Sequence, residues 1–529
     1  MQTIKCVIER VTYQNLDDGY SVLKAHVSGY SDLVPIIGNM PDVSAGCVLE
    51  VTGEWKNDPK YGEEFIVSSW IETMPATLYG IEKYLGSGLI KGVGPVYAKR
   101  IVSKFGTDTI DVIENTPEKL TEVPGIGARK VKKIQESWEK QREVKNIVMF
   151  LQEHGANTRH AAWIYKEYGN ESIRTIRENP YKLADDVWGI GFRTADGIAE
   201  KLGFDKESFA RCRSGLMYTL NQLADSGHVY AERDQLIDKA VELLDIDHTF
   251  LSFSIDHMLK EEDLIQDEDA VYLPPFYQAE KNAANRLLAL AQAPGRISVS
   301  SPPDIKAIEK AAGVVYDEIQ AEGICEAARS KVCVLTGGPG TGKTTTTLGI
   351  IKALKSYGMK IILAAPTGRA AKRMTETTGM EAKTVHRLLE FSPKDGYQRN
   401  EKNPLDGDVL IVDECSMLDI ILTNTLLKAI PSHRRLILVG DIDQLPSVGA
   451  GNVLRDIIDS EVFPVVRLTK IFRQAQTSRI IMNAHRINRG EMPDISNGKN
   501  TDFFFLPVET PEEIAGCIES LVKTRPKVS

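Results

Sequence analysis

The spacing of apolar and polar residues changes character three times along this chain. Over roughly the first 75 residues, apolar and polar positions alternate in short runs, at 4–11, 20–27, 33–37, 48–55 and 64–70. Turn residues such as Asp17-Asp18-Gly19 and Asn57-Asp58-Pro59 separate them, and five short strands at this spacing predict a small closed barrel. From about residue 80 to 205 the period becomes helical, with runs at 96–105, 128–138 and 194–202. Between 206 and about 310, helical patterns at 209–225, 234–244 and 254–262 alternate with short extended pieces at 228–230 and 270–273. That mixture predicts a winged-helix-like unit, a connecting helix over 277–293, and a linker ending at Ser300-Ser301-Pro302-Pro303. From 311 onward, apolar strands at 332–336, 361–365, 409–413, 436–441 and 465–468 alternate with helices, the pattern of a parallel doubly wound α/β sheet with ligands beyond the carboxyl ends of its strands.

The chemistry concentrates at those strand ends. Residues 332–335 form a buried strand that breaks at Gly337, and Gly337-Gly338-Pro339-Gly340-Thr341-Gly342-Lys343-Thr344 fits the phosphate-binding spacing G-x-x-x-x-G-K-[ST]. Glycines let backbone N–H groups turn toward a phosphate without a Cβ in the way, and the helix opening at Lys343 presents its positive dipole end to the same anion. The cradle runs from Gly338, Pro339, Gly340, Thr341 and Gly342 through Lys343 to Thr344 and Thr345. Lys343 suits the β/γ-phosphates of ATP and the Thr344 hydroxyl suits Mg²⁺. The strand ending in Asp413-Glu414 supplies a second Mg²⁺ ligand in the Asp413 carboxylate and a base for the attacking water in Glu414, and the next strand delivers Gln444 to sense the γ-phosphate.

Length and charge sharpen this picture. At 529 residues the chain exceeds one hydrophobic core, and the patterns divide it into a barrel over 1–78, a helical repeat domain over 79–205, a winged-helix-like unit with its connecting helix over 206–300, a nucleotide-binding lobe over 301–462 with a polar insertion near 391–406, and a further segment over 463–529. The net charge of −9 means that any nucleic-acid contact must come from local basic patches. Seven cysteines without CxxC spacing argue against a zinc site or a disulfide framework and for a reducing, cytoplasmic setting. No run of 18 apolar residues suggests a membrane span.

Three apolar residues flanked by glycines, Gly92-Val93-Gly94, Gly125-Ile126-Gly127 and Gly189-Ile190-Gly191, each precede a helical run. They resemble the helix-hairpin-helix family, whose turn offers backbone N–H groups to one DNA phosphate and fixes position without reading bases. Basic residues, Lys130 and Lys132 among them, surround the first two copies, so Gly92, Gly94, Gly125, Gly127 and Lys130 are candidate DNA contacts; acidic neighbours set the third copy apart. In the barrel, Tyr13, Tyr20, Tyr30 and Tyr61 could stack on single strands in the OB manner, but sparse basic residues favour a purely packing role.

Taken together, GGPGTGKTTT, APTGRAAKRM at 365–374, TVHRLLE at 384–390, VDECSM at 412–417, VGDIDQLPSVGAGNVL at 439–454 and LTKIFRQ at 468–474 resemble superfamily 1 DNA helicases, within them the RecD-like group in its stand-alone form with an N-terminal extension. The resemblance implies RecA-like motor lobes preceded by an OB-like barrel, hairpin repeats and a winged unit. It further implies that Gln320 contacts adenine, that Arg473 joins Lys343, Thr344, Asp413, Glu414 and Gln444 around the phosphates and Mg²⁺, and that Thr367, Arg369 and His386 lie along single-stranded DNA or a single/double-strand junction, traversed 5′-to-3′. On the same resemblance a second lobe begins near Val465, with a strand at 503–508 and a helix at 511–523, and lacks the family's later motifs before Ser529, so that a truncated motor with impaired unwinding is expected.

Overall fold

The computed structural model describes the chain except for residues 16–19, 31, 41–42, 44, 46, 59–61, 74–77, 88–89, 155–159, 188, 298, 300, 473–476, 498–500 and 525–529. Two compact units result, one of residues 1–218 with 243–254, the other of 219–242 with 255–529.

In the first unit, strands β1 (Gln2–Gln14), β2 (Tyr20–Val27), β3 (Val34–Asn39), β4 (Val48–Asp58) and β5 (Gly62–Thr73) close into a barrel in the order β1-β2-β3-β5-β4. Ile8, Leu23, Ala25, Ile36, Leu49, Val51 and Phe65 fill it and are fully buried. β1 pairs with both β2 and β4, and two register shifts, between Ile8 and Arg10 and between Val11 and Tyr13, let this long strand bend around the barrel.

The helical domain that follows is built on one turn used three times. Val93, Ile126 and Ile190 each donate their backbone N–H to the carbonyl three residues back, at 3.1, 3.0 and 3.1 Å. The glycine before each of them is left-handed, with φ of +97° at Gly92, +90° at Gly125 and +85° at Gly189, conformations that a side chain would strain. The middle residue is buried and anchors the turn, and the second glycine opens the next helix, at Pro95–Phe105, Ala128–Glu153 and Phe192–Lys201. A duplication also emerges, because residues 106–120 and 169–183 repeat one pattern 63 positions apart. Gly106 and Gly169 have φ of +60° and +55°, and Thr109 and Ser172 donate their hydroxyls back to those glycines' carbonyls at 2.7 and 2.6 Å.

In the second unit, β6 (Tyr230–Glu232), β7 (Ile265–Asp267) and β8 (Ala270–Tyr272) form a small antiparallel sheet in the order β6-β8-β7, the wing expected from the sequence. Its main sheet contains β9 (Val332–Gly337), β10 (Ile361–Ala365), β11 (Ala382–Thr384), β14 (Val409–Val412), β15 (Arg435–Gly440) and β16 (Val465–Leu468) in the order β11-β10-β14-β15-β9-β16, every pair parallel. The polar insertion between β11 and β14 is a short hairpin of β12 (Phe391–Ser392) and β13 (Gly396–Tyr397). Successive residues of the main-sheet strands face opposite sides, and both sides are covered. Val334, Val412 and Leu438 enter one core with the helices Pro274–Gln292 and Ile420–Lys428, whereas Leu335, Ile411 and Val439 enter another with Glu318–Arg329 and Lys343–Ser356. Double-sided burial is why β9, β14 and β15 read as unbroken apolar runs.

Two expectations are corrected here. The strand over Val465–Leu468 does not open a separate lobe; it pairs in parallel with β9 and forms the edge of the first sheet. No strand forms over 503–508, where Phe504, Phe505 and Leu506 are exposed and, among the described residues, no strand pairs with them. All seven cysteines are free, and among the described residues no helix is long and apolar enough to cross a membrane.

Candidate functional site

β9, β14 and β15 deliver their carboxyl ends to one cavity of about 790 Å³. Its walls include Gly338, Pro339, Gly340, Thr341, Gly342, Lys343, Thr344 and Thr345 from the phosphate loop, Asp413 and Glu414 from the end of β14, and Gln444 after β15. Three of the loop's glycines have no room for a side chain. A Cβ on Gly337 would stand 2.7 Å from the Leu468 carbonyl, one on Gly338 would meet the His485 ring, and one on Gly342 would overlap the Gln320 amide. Thr341 closes the turn by donating its hydroxyl to the Gly338 carbonyl at 2.8 Å.

Lys343 donates to the carbonyls of Gly337 and, at 3.2 Å, Gly338, and lies 3.5 Å from Asp441. Asp441 is 1% exposed and also accepts from the Gln444 amide at 3.4 Å and the Asp443 N–H at 3.1 Å, so it ties the Lys343 and Gln444 side chains together. Burial pushes the carboxyls of Asp413 and Glu414 above the ordinary carboxylate range; Asp413 adds to the shift on Glu414, and Lys343 and Arg373 oppose it on both. Glu414 has φ of +53°, a left-handed conformation that a β-carbon disfavours. Two carboxylates short of compensating charge beside the exposed Thr344 hydroxyl fit a divalent cation.

Gln320 stands against the inner side of the loop. It is 2% exposed, its Oε1 accepts from the Asp317 N–H at 3.2 Å in a helix-capping box, and it lies behind Gly342 and is not part of the cavity wall. Arg473 lies outside the described residues. Four residues that the sequence reading did not single out belong to the site. Phe472 and Arg373 line the cavity, Asp441 joins its lysine and glutamine, and His485 lies 3.2 Å from the Pro339 carbonyl through Nε2. Arg373 sits one helical turn beyond Arg369, a spacing that could have found it.

The expected DNA-facing residues occupy the tips of neighbouring strands. Thr367 follows β10 and caps the helix Gly368–Thr378, its hydroxyl accepting from the Ala370 N–H at 3.2 Å; Arg369 beside it is exposed. His386 follows β11 and is also exposed, its ring centroid 6.0 Å from both Phe391 and Tyr397, so the insertion hairpin turns an isolated histidine into an aromatic cluster. In the first unit, Gly94 and Gly127 are open, with no atom within 4 Å of the place a Cβ would take, and Lys130 lies 3.0 Å above the Tyr97 ring with its stem beside Gly92.

A parallel sheet with a glycine-lined phosphate loop, a lysine and two strand-end carboxylates around one cavity defines a P-loop nucleoside triphosphatase. Four family models match along the chain: ATP-dependent DNA helicase YrrC, OB-fold domain, at 1–75; SAM-like helix-hairpin-helix tandem at 87–140; ATP-dependent RecD2 DNA helicase HHH domain at 140–230; and AAA domain at 320–450. The ATP-dependent RecD2 DNA helicase of Deinococcus radiodurans is 33% identical over 512 residues, 92% of this chain and 70% of that protein. The chain belongs to the RecD2 family of ATP-dependent DNA helicases. The RecBCD enzyme subunit RecD of Mycolicibacterium smegmatis is 36% identical over 217 residues, 36% of this chain and 38% of that subunit. The crystal structure of Pif1 helicase from Candida albicans shows a slight likeness, with a TM-score of 0.29 at 22% identity over 41% of this chain and 56% of that one.

Proposed function

We propose that the chain hydrolyses ATP in the cavity at the phosphate loop and couples hydrolysis to 5′-to-3′ movement on single-stranded DNA, engaging single/double-strand junctions. The observation that carries this reading is the convergence of Lys343, Asp413, Glu414 and Gln444 on one cavity at the carboxyl edge of a sheet whose neighbouring tips bear Thr367, Arg369 and His386. In this reading Lys343 leaves its loop carbonyls for the incoming β/γ-phosphates, Glu414 orients and deprotonates the attacking water, and Gln444 reports the γ-phosphate to the Asp441 cluster. Thr344 and Asp413 would hold Mg²⁺, which supplies neutralisation of phosphate charge. Arg473 is proposed for the same γ-phosphate and Gln320 for the adenine end. The strand passes over Thr367, Arg369 and His386, with Phe391 and Tyr397 offering faces for stacking.

Hydrolysis with and without single-stranded DNA, and displacement of a strand annealed to a 5′-tailed template, should both be measured on one preparation. Single-strand-stimulated hydrolysis with displacement supports the reading; stimulation without displacement would favour an ATPase that remodels DNA without unwinding it, and no stimulation would remove the coupling altogether.

The hairpin turns are proposed to grip the DNA backbone. Gly94 has an extended conformation, and neither Gly94 nor Gly127 has a close neighbour where a side chain would go, so valine at both positions should leave the fold intact while blocking a phosphate from the turn. Binding to duplexes of any sequence should weaken by about tenfold or more, as expected for lost hydrogen bonds to a charged group. Replacing Lys130 and Lys132 by glutamine should lower the slope of log K against log salt by roughly 0.7 to 0.9 per lost phosphate contact. An unchanged slope with unchanged affinity would make the turns architectural.

A further inference from the structure

We propose that Lys331, just before β9 and away from the nucleotide cavity, is a site of covalent acylation by acyl phosphates, with its amine as the nucleophile and the cations around it as the seat of the phosphate. The sheet sets the amine in place. Lys331 precedes the apolar run of β9 and its carbonyl accepts from the Leu436 N–H at 2.8 Å, so it stands at the amino-terminal edge of the sheet, the edge opposite the phosphate loop. There Nζ donates to the Ser432 carbonyl at 2.9 Å. The stem runs beside the Arg435 guanidinium, since a Cβ on Gly295 would lie 3.5 Å from Lys331 Cδ and 3.8 Å from Arg435 Nη2. Arg435 is 6% exposed and fixed, donating to the carbonyls of Ala328, Arg329, Ser330 and Ile297 at 3.1, 3.1, 2.7 and 3.4 Å. Carbonyls hold a guanidinium without neutralising it, so the lysine faces a full positive charge.

The carboxylates nearby are committed elsewhere. Asp408 accepts from Arg434 at 3.0 Å and from the Lys360 N–H at 2.9 Å, Asp406 takes the Lys360 ammonium, and Glu326 takes Arg329 and the Ser330 hydroxyl. Among the described residues no carboxylate pairs with Lys331 or Arg435. Ser298 and Ser300 of the adjoining linker, which lie outside the described residues, are uncharged types. Arg296 completes the cluster, its N–H 3.4 Å from the His433 carbonyl, its side chain 67% exposed and its guanidinium 3.8 Å from Asp408. An exposed guanidinium with one distant carboxylate suits a phosphate dianion.

A half-buried amine with a fixed cation beside it and no counter-charge favours its neutral form. Burial first, then the Arg435 charge, bring the Lys331 amine down to about 8. At about pH 7.5 roughly a quarter of it is then free base, against about one part in a thousand for an ordinary lysine. Burial and the charges of Arg434, Lys331 and Arg296 likewise hold His433 below the ordinary histidine range, so the cluster's positive charge near neutrality rests on the arginines. In the acylation, the amine lone pair attacks the carbonyl carbon, and the new C–N bond forms as the C–O bond to phosphate breaks. Phosphate leaves with the electron pair, and the surplus proton passes to water. The resulting amide keeps one N–H for the Ser432 carbonyl and removes a charge that its surroundings disfavour.

The test treats the full chain with acetyl phosphate and maps acetyl-lysine by mass spectrometry against time and pH. Lys331 should react about tenfold or more faster than the exposed Lys306, and its rate should level off above about pH 8, where an ordinary lysine goes on gaining free base to about pH 10. Ser432→Asp, at an exposed position, sets a carboxylate beside the amine; it should slow the reaction about fivefold at neutral pH and move the levelling upward. Arg296→Gln should slow acetylation by acetyl phosphate but leave that by S-acetyl-N-acetylcysteamine, an uncharged thioester, unchanged. Matching thermal melts establish that both variants are folded. Acetylation of Lys331 no faster than that of Lys306, or a rate still climbing at pH 10 in the unsubstituted chain, would overturn the site. Equal loss with both reagents in Arg296→Gln would overturn the phosphate seat.

Discussion

Lys343→Ala should reduce ATP turnover by about a hundred- to a thousandfold, while DNA binding should stay close to that of the unsubstituted chain. The magnitude is that of removing one preorganised charge from a site where negative charge is handled out of water. The lysine ammonium is mostly buried, and its three partners, the carbonyls of Gly337 and Gly338 and the Asp441 carboxylate, all lie at the phosphate loop or at the end of β15 beside it. None of the candidate DNA contacts touches it, which is why the two activities should separate. Without the lysine, Asp441 keeps only the Gln444 amide and the Asp443 N–H, so a modest loss of thermal stability in the second unit should accompany the loss of turnover. ATP hydrolysis and DNA affinity measured side by side decide the matter; hydrolysis within a few-fold of the unsubstituted chain would exclude Lys343 from the phosphate site.

Glu414→Gln should behave differently, retaining nucleotide but slowing hydrolysis by about 10² to 10⁴, the usual contribution of a positioned base. The amide keeps the side chain's shape at a backbone position with φ of +53° but cannot accept a proton from water. The same residue predicts the pH profile. Burial first, then Asp413, raise the Glu414 carboxyl, so the acid limb of hydrolysis should lie above the ordinary glutamate range, with activity falling as pH drops through it. Arg373 pulls the value down, so Arg373→Met should move that limb to higher pH. The stability sign follows from the same shift. A carboxyl whose pKa is raised on folding favours the folded state in its protonated form, and that contribution disappears as pH rises through the folded value. At neutral pH the charged Glu414 is therefore a cost to the fold, and Glu414→Gln should raise the melting temperature of the second unit even as it stalls the enzyme. Weakened nucleotide retention in this variant, or an acid limb unmoved by Arg373→Met, would sink the assignment of Glu414 as base.

The strands around the cavity and the phosphate loop were legible in the residue pattern alone. The central strands β9, β14 and β15 are short and buried on both faces, so each had to be an apolar run, and the phosphate loop admits only glycine where Leu468, His485 and Gln320 crowd it. Those are local demands, and they leave local marks. The three hairpin turns were legible for the same reason, since a left-handed residue followed by a buried anchor and an open helix start permits few alternatives to Gly-x-Gly. Features that depend on partners distant in sequence left no such mark. Val465–Leu468 reads as a strand anywhere, but its place at the edge of the first sheet follows from pairing with β9, far earlier in the chain. Gln320 looks available in sequence and is turned inward by its own capping box, whereas Asp441 and Arg373 gain their roles from what faces them across the cavity. On the barrel, alternation alone would set Arg10 and Tyr13 on opposite faces; two extra residues in β1, each bulged against a partner strand, bring them together, because register is a property of a pair of strands and is written in neither one alone.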